Sequence, residues 1–80
     1  MYLSAAAAAE RLGVLVNITT DGSRRARISQ FVSNLRPYVR TQRRGRSVLV
    51  VADDIQRIER QLREGSIAMD MKGRITRIAA

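Results

Sequence analysis

The most informative part of the sequence is residues 24–51, which read RRARISQFVSNLRPYVRTQRRGRSVLVV. In its first half, apolar residues recur with helical periodicity at Ala26, Ile28, Phe31, Val32 and Leu35. This periodicity predicts a helix over residues 24–35 with one buried face and one polar face. Pro37 is expected to end the helix, because the residue before a proline avoids the helical conformation.

The second half of the same stretch predicts a β-hairpin. Two runs suited to strands, residues 38–41 and 47–51, flank the polar residues 42–46. Gly45 within that polar loop is typical of a hairpin connection. Nearly every residue of the second run is apolar, so we expect that strand to be buried.

The same region holds the excess positive charge of the chain. The protein has 80 residues and a formal net charge of +8, from 15 basic and 7 acidic residues. Within residues 24–46 there is no acid, and the arginines are Arg24, Arg25, Arg27, Arg36, Arg40, Arg43, Arg44 and Arg46. Outside this segment, basic and acidic residues are equal in number. Such a concentration of one sign of charge is typical of a face that binds phosphates.

The residues before this region predict a first helix and a connection. Ser4 is expected to cap a short helix over the alanine-rich residues 5–12. Residues 14–18 are apolar and β-branched, and they fit a short strand and an extended linker equally well. Asp21 or Ser23 is expected to cap the arginine-bearing helix that follows.

The residues after the hairpin predict a third helix and an undecided C-terminus. Asp53 and Asp54 open the helix, and we interpret them as caps favoured by the helix dipole rather than as a catalytic pair. Gly65 is expected to end it, and its buried stripe is expected to be Ile55, Ile58 and Leu62. For residues 66–80 three alternatives stay open: a closing hairpin, an arm that pairs with another subunit, and a frayed tail.

The order of these elements predicts an α+β fold, a winged helix-turn-helix domain over residues 1–65 with about three helices and a basic β-hairpin wing. Residues 7–14, which read AAAERLGV, resemble the first helix of excisionase-like and MerR-like DNA-binding proteins. Residues 38–62, YVRTQRRGRSVLVVADDIQRIERQL, resemble their wing and the helix after it. In those families the second helix follows the first after a few residues, whereas here residues 14–23 intervene.

The resemblance implies a small basic protein that binds double-stranded DNA. It implies either an excisionase, which acts with an integrase and self-associates on DNA, or a transcriptional regulator of a phage or mobile element. The residues that match recognition-helix positions are Arg24, Arg25, Arg27, Gln30, Ser33 and Asn34, and those that match the wing tip are Arg43, Arg44 and Arg46. Arg40 is expected beside them, on the wing and the phosphates.

Composition argues against several other classes of protein. The chain has no cysteine and no histidine, so thiol or imidazole catalysis and cysteine or histidine metal sites are excluded. We therefore expect no enzyme activity, cofactor, metal or small-molecule substrate. No apolar stretch is long enough for a membrane span, and the alanine run lacks the basic leader of a signal peptide, so a cytoplasmic location is expected. The alternative function is a basic interaction protein that binds a host protein or an RNA complex.

Overall fold

The computed structural model describes residues 1–78, which form an α+β fold with three helices and two antiparallel sheets. In chain order the elements are β1 (Tyr2–Ser4), α1 (Ala5–Arg11), α2 (Asp21–Leu35), β2 (Thr41–Arg44), β3 (Ser47–Val51), α3 (Ala52–Glu64), β4 (Ile67–Met69) and β5 (Ile75–Ile78). One sheet has the order β1-β3-β2, and β4 and β5 form a separate hairpin. No helix in this part of the chain is long and apolar enough to cross a bilayer.

Both predicted helices are present, and α1 ends at Arg11 rather than at residue 12. On α2 the predicted apolar face is buried or half-buried from Ile28 onward, whereas Ala26 is exposed. Ser4 caps α1 as predicted, because its Oγ accepts a hydrogen bond from the Ala7 amide at 3.0 Å. Helix α2 ends at Leu35, before the proline, but it begins at Asp21 rather than at residue 24. Its cap is Thr20, whose Oγ1 accepts from the Ser23 amide at 3.2 Å. The prediction of Asp21 or Ser23 as the cap was wrong, because both lie inside the first turn.

The connection between α1 and α2 is neither a strand nor an extended linker. Residues 14–17 lie in successive turns, and the Val14 amide donates to the Ala9 carbonyl at 3.2 Å. Val14 and Leu15 are buried in the core. These residues are therefore apolar because they fill the core. Their β-branched side chains did not indicate a strand.

The first hairpin is present, but its first strand lies later than predicted. Residues 36–38 form a turn after α2, and β2 covers Thr41–Arg44, so the prediction of a strand over residues 38–41 was wrong. Gly45 and Arg46 make a two-residue turn to β3, which has the predicted bounds. No sequence pattern indicated β1, a three-residue strand that pairs with β3 through Leu3 and Val50.

The C-terminal part contains the predicted third helix and a second hairpin. Helix α3 ends at Gly65 as expected, but its N-cap is Val51 and no side chain caps it. Asp53 and Asp54 lie in the first turn of α3, as expected for acids at the positive end of the helix dipole, but the interpretation of them as caps was wrong. Neither side chain caps the helix, and Asp54 bonds to Arg40 and Arg57 instead. Of the alternatives for residues 66–80, the hairpin β4–β5 is found up to Ile78, and residues 79 and 80 lie outside the described residues.

The core lies between the three helices and one face of the larger sheet. The largest fully buried side chains are Phe31, Leu35, Ile55, Ile58, Val14 and Val50. Burial of each such side chain contributes about 1.5–3 kcal/mol relative to exposure. This core fixes α2 with its polar face outward, between the two hairpins.

Candidate nucleic-acid interface

Helix α2 and its C-terminal end present an exposed strip with a groove on each side. The strip consists of Arg25, Ser29, Gln30, Ser33 and Arg36. The groove between α2 and strand β3, which we call the sheet groove, has a volume of about 620 Å³ and is lined by Ala5, Arg25, Ile28, Ser29, Val32, Ser33, Arg36 and Val48. The groove between α2 and the turn of the second hairpin, the turn groove, has about 380 Å³ and is lined by Ser29, Gln30, Ser33, Asn34, Lys72 and Arg74. Ser29 and Ser33 line both grooves, so they mark the crest of the strip.

Six of the eight arginines in the basic segment are exposed. One is Arg40, which pairs with Asp54, and the other five are Arg25, Arg36, Arg43, Arg44 and Arg46. Within residues 1–78, no carboxylate forms an ion pair with any of these five. Their guanidinium groups are thus available to an external anion, and guanidinium matches phosphate or guanine with two parallel hydrogen bonds.

The strand register brings one arginine of the hairpin towards helix α2. Arg43 lies opposite Val48 in the antiparallel pair β2–β3. Residues opposite each other in such a pair point to the same face of the sheet. Because Val48 lines the sheet groove together with Arg25 and Arg36, Arg43 extends the same basic surface. Arg44 alternates to the opposite face.

Four of the residues predicted to bind DNA form bonds within the protein instead. Arg24 forms an ion pair with Glu10. The Arg27 Nη1 donates to the Met71 carbonyl at 2.7 Å and to the Val14 carbonyl at 3.3 Å. The remaining two are Asn34, whose Nδ2 donates to the Lys72 carbonyl at 2.9 Å, and Arg40, which pairs with Asp54.

Three predicted residues of α2, Arg25, Gln30 and Ser33, are exposed, and their side chains form no hydrogen bond or ion pair with another part of residues 1–78. Arg36 is exposed beside them in the sheet groove, although it was predicted only as part of the basic segment. Its signal was available, because residues 25, 29, 33 and 36 follow helical spacing along one face. Lys72 and Arg74 were also missed, since their place beside α2 depends on how the second hairpin docks.

Asp54 fixes the base of the first hairpin to helix α3. Its side chain is 3 % exposed, and it accepts hydrogen bonds from the Arg40 amide at 2.8 Å, Arg40 Nε at 3.1 Å and Arg40 Nη2 at 3.0 Å. Arg57 Nη1 donates to it at 3.3 Å, while Arg57 Nη2 donates to the Tyr38 carbonyl at 2.9 Å. Hydrogen bonding from the Arg40 side chain outweighs the desolvation of the carboxylate and lowers the pKa of Asp54 from 3.8 to about 2.

No acid lines either groove beside α2, although Asp70 pairs with Arg74 at the turn groove. Glu10 and Glu59 pair with Arg24 and Arg11 on the side where α1 meets its neighbours. In residues 1–78, no group of three or more aspartate, glutamate, histidine or cysteine residues is arranged to hold a metal ion. The strip can therefore act as an anion-binding surface with polar groups at its crest.

Comparisons of the chain with protein-family models, with curated proteins and with solved structures find no match.

Proposed function

We propose that the protein binds double-stranded DNA as a winged helix-turn-helix domain, with α2 in the major groove and the first hairpin on the adjacent backbone. The observation that carries this proposal is a set of five exposed arginines, on α2 and its C-terminal end and on the first hairpin, that form no ion pair within residues 1–78. A surface of this charge, with no acid lining either groove, attracts a phosphate backbone and binds it with release of counterions.

Helix α2 has the shape and the side chains for the major groove. That groove is about 12 Å wide and admits an α-helix. Gln30, Ser33 and Arg25 would face the base edges, where glutamine pairs with adenine, arginine with guanine and serine with either. We assign a structural role to four of the predicted residues, because their donors already have partners in the protein. These are Arg24, Arg27, Asn34 and Arg40.

The first hairpin would contact the sugar–phosphate backbone. Arg43, Arg44 and Arg46 surround its two-residue turn, and all three are exposed. The bonds of Asp54 to Arg40 hold the start of β2 in place, so the arginines of the turn are presented from a fixed base. Phosphate contacts of this kind set the orientation of a protein on the duplex and carry little sequence information.

Two biological roles follow from the resemblance of residues 7–14 and 38–62, an excisionase and a transcriptional regulator. An excisionase would occupy repeated sites cooperatively, bend the DNA and act with an integrase. A regulator would occupy a single palindrome at a promoter. Both roles imply a cytoplasmic location, and footprinting on DNA from the gene's own neighbourhood separates them.

The proposal is tested by a double substitution in the first hairpin, Arg43→Ala with Arg44→Ala. Loss of two phosphate contacts is expected to lower the affinity for duplex DNA about 60-fold at 0.1 M salt, because about 0.9 counterion is released per contact. A mobility-shift titration measures the change. The stability is expected to stay within about 0.5 kcal/mol, since both side chains are exposed.

The matched control removes two exposed arginines from helix α3, by Arg60→Ala with Arg63→Ala. These side chains line neither groove, so the control removes the same charge from another surface. We expect it to lower the affinity several-fold at most, through the long-range field. Equal losses in the two double variants would contradict the assignment of the hairpin.

A further inference from the structure

The turn of the second hairpin, residues 70–74, is packed directly against helix α2. Gly73 is buried in this turn and has a φ of +84°. A Cβ atom at this position would lie 2.9 Å from Cδ1 and 3.2 Å from Cα of Phe31, which is itself fully buried. The backbone of the turn therefore touches the helix, with no space for a side chain between them.

Two polar side chains of α2 hold the same turn. Arg27 Nη1 donates to the Met71 carbonyl at 2.7 Å, and Asn34 Nδ2 donates to the Lys72 carbonyl at 2.9 Å. These residues lie seven positions apart, which is two helical turns, so both side chains point from one face of α2 and hydrogen-bond to adjacent carbonyl groups. The position of the turn beside the exposed strip is thus fixed at three points.

The turn is also ordered from within by Asp70. Its Oδ1 accepts hydrogen bonds from the Lys72 and Arg74 amides, both at 2.9 Å, and its Oδ2 accepts from Arg74 Nε at 2.7 Å. The Asp70 amide donates to the Arg74 carbonyl at 2.9 Å. A short loop with this many internal bonds presents its remaining side chains at little further cost in entropy.

The side chains presented by this turn are basic. Lys72 is exposed, and no carboxylate of residues 1–78 pairs with its ammonium group. Arg74 uses Nε for Asp70 but is 61 % exposed. Both line the turn groove together with Gln30, Ser33 and Asn34, on the flank of α2 that faces away from the first hairpin.

We propose that the turn of residues 70–74 is a second phosphate-binding element, which contacts the DNA strand opposite to the one held by the first hairpin. The inference rests on the proposed function for the identity of the ligand. A major groove is bounded by two backbones, so structures on the two flanks of an inserted helix meet different strands. Lys72 supplies the main contact and Arg74 the secondary one, because Asp70 already offsets part of the charge of Arg74.

The test is the affinity of Lys72→Ala for a duplex of about 20 base pairs, measured by fluorescence anisotropy over a range of salt concentrations. One lost phosphate contact is expected to weaken binding about eightfold at 0.1 M salt and to reduce the log–log salt slope by about 0.9. The control Arg60→Ala removes one exposed charge from α3, and we expect less than a twofold change.

Binding by Lys72→Ala that equals wild type, while the hairpin double variant is weakened, overturns this inference and leaves the proposed function standing. Absence of salt-dependent duplex binding by the wild-type protein overturns both. Ethylation interference adds a geometric readout, since wild type is expected to contact phosphates on both strands. Lys72→Ala is expected to lose interference on one strand only, and loss on the strand affected by Arg43→Ala would also overturn the inference.

Discussion

At the scale of single residues, the Asp54 carboxylate accepts more hydrogen bonds than any other carboxylate within residues 1–78. One buried carboxylate receives four hydrogen bonds from two arginines, and these bonds join the start of β2 to α3. Hydrogen bonds to a charged group contribute about 1.5–3 kcal/mol each when one partner is removed. The side chains of Arg40 and Arg57 stay exposed, so the stabilisation comes from the hydrogen bonds to Asp54 and not from burial of the cations.

Substitution Asp54→Asn is therefore expected to lower the free energy of unfolding by about 2 kcal/mol at neutral pH. The matched control is Asp53→Asn, because Asp53 is exposed and forms no ion pair within residues 1–78. Urea denaturation of the two variants measures the difference. Similar stabilities for both would show that the bonds of Asp54 contribute little.

The same carboxylate predicts how stability depends on pH. The pKa of Asp54 is 3.8 in the unfolded chain and about 2 in the fold, so the folded state binds its proton less readily. Its contribution is complete above pH 3.8 and is lost as the pH falls towards 2. Asp70, whose pKa is lowered chiefly by its backbone hydrogen bond from Arg74, acts in the same direction. The Asp54→Asn variant is expected to lose less stability than wild type over this range.

The helical periodicity of α2 predicted which side chains lie outside its apolar face, but not which of them have partners in the protein. The partners of Arg27 and Asn34 lie 44 and 38 positions later in the chain. Helical periodicity carries no information about contacts at that distance. Arg25, Gln30 and Ser33 stayed where the pattern placed them, because nothing from another element docks on them.

At the scale of elements, burial on one face made α2 and α3 predictable. Strand β1 was missed since three residues have almost no pattern, and it exists through pairing with β3. Strand β2 was assigned too early because Arg43 and Arg44 look like loop residues. It is an edge strand that is exposed throughout, where charged side chains are tolerated and discourage pairing with other chains.

The docking of the second hairpin on α2 is tested by Gly73→Ala. The added methyl group meets Phe31 in a packed core, and alanine disfavours a φ of +84°, so we expect a loss of about 2–4 kcal/mol in the free energy of unfolding. Gly65→Ala is the control, because its φ is +78° but no atom lies within 4 Å of the added carbon. It is expected to cost about 1–2 kcal/mol.

Hydrogen exchange of the backbone amides shows which part of the protein Gly73→Ala destabilises. In Gly73→Ala we expect the amides of β4 and β5 to lose protection more than those of β2 and β3, since the turn no longer packs on α2. Equal costs for the two glycine variants would mean that the contact with Phe31 is not what holds the hairpin.

At the scale of the whole molecule, most ion pairs lie away from the two grooves beside α2, and the exception is Asp70 with Arg74. Ion pairs join α1 to α2 and α3 and the first hairpin to α3, and they use the acids Glu10, Glu59 and Asp54. The exposed strip of α2 and the two turns beside it retain unpaired cations. The sequence predicted the α+β class and the basic segment, whereas the second hairpin was one of three alternatives because its docking depends on the packed core.

The most direct test of the account is the salt dependence of wild-type binding to duplex DNA. Four arginines (Arg36, Arg43, Arg44 and Arg46) and Lys72, each on one phosphate, predict a log–log slope of about −4.5 between 50 and 200 mM salt, which is about a 500-fold loss of affinity. A slope near zero, or no binding at 50 mM salt, would contradict the claim that these side chains form a DNA-binding surface.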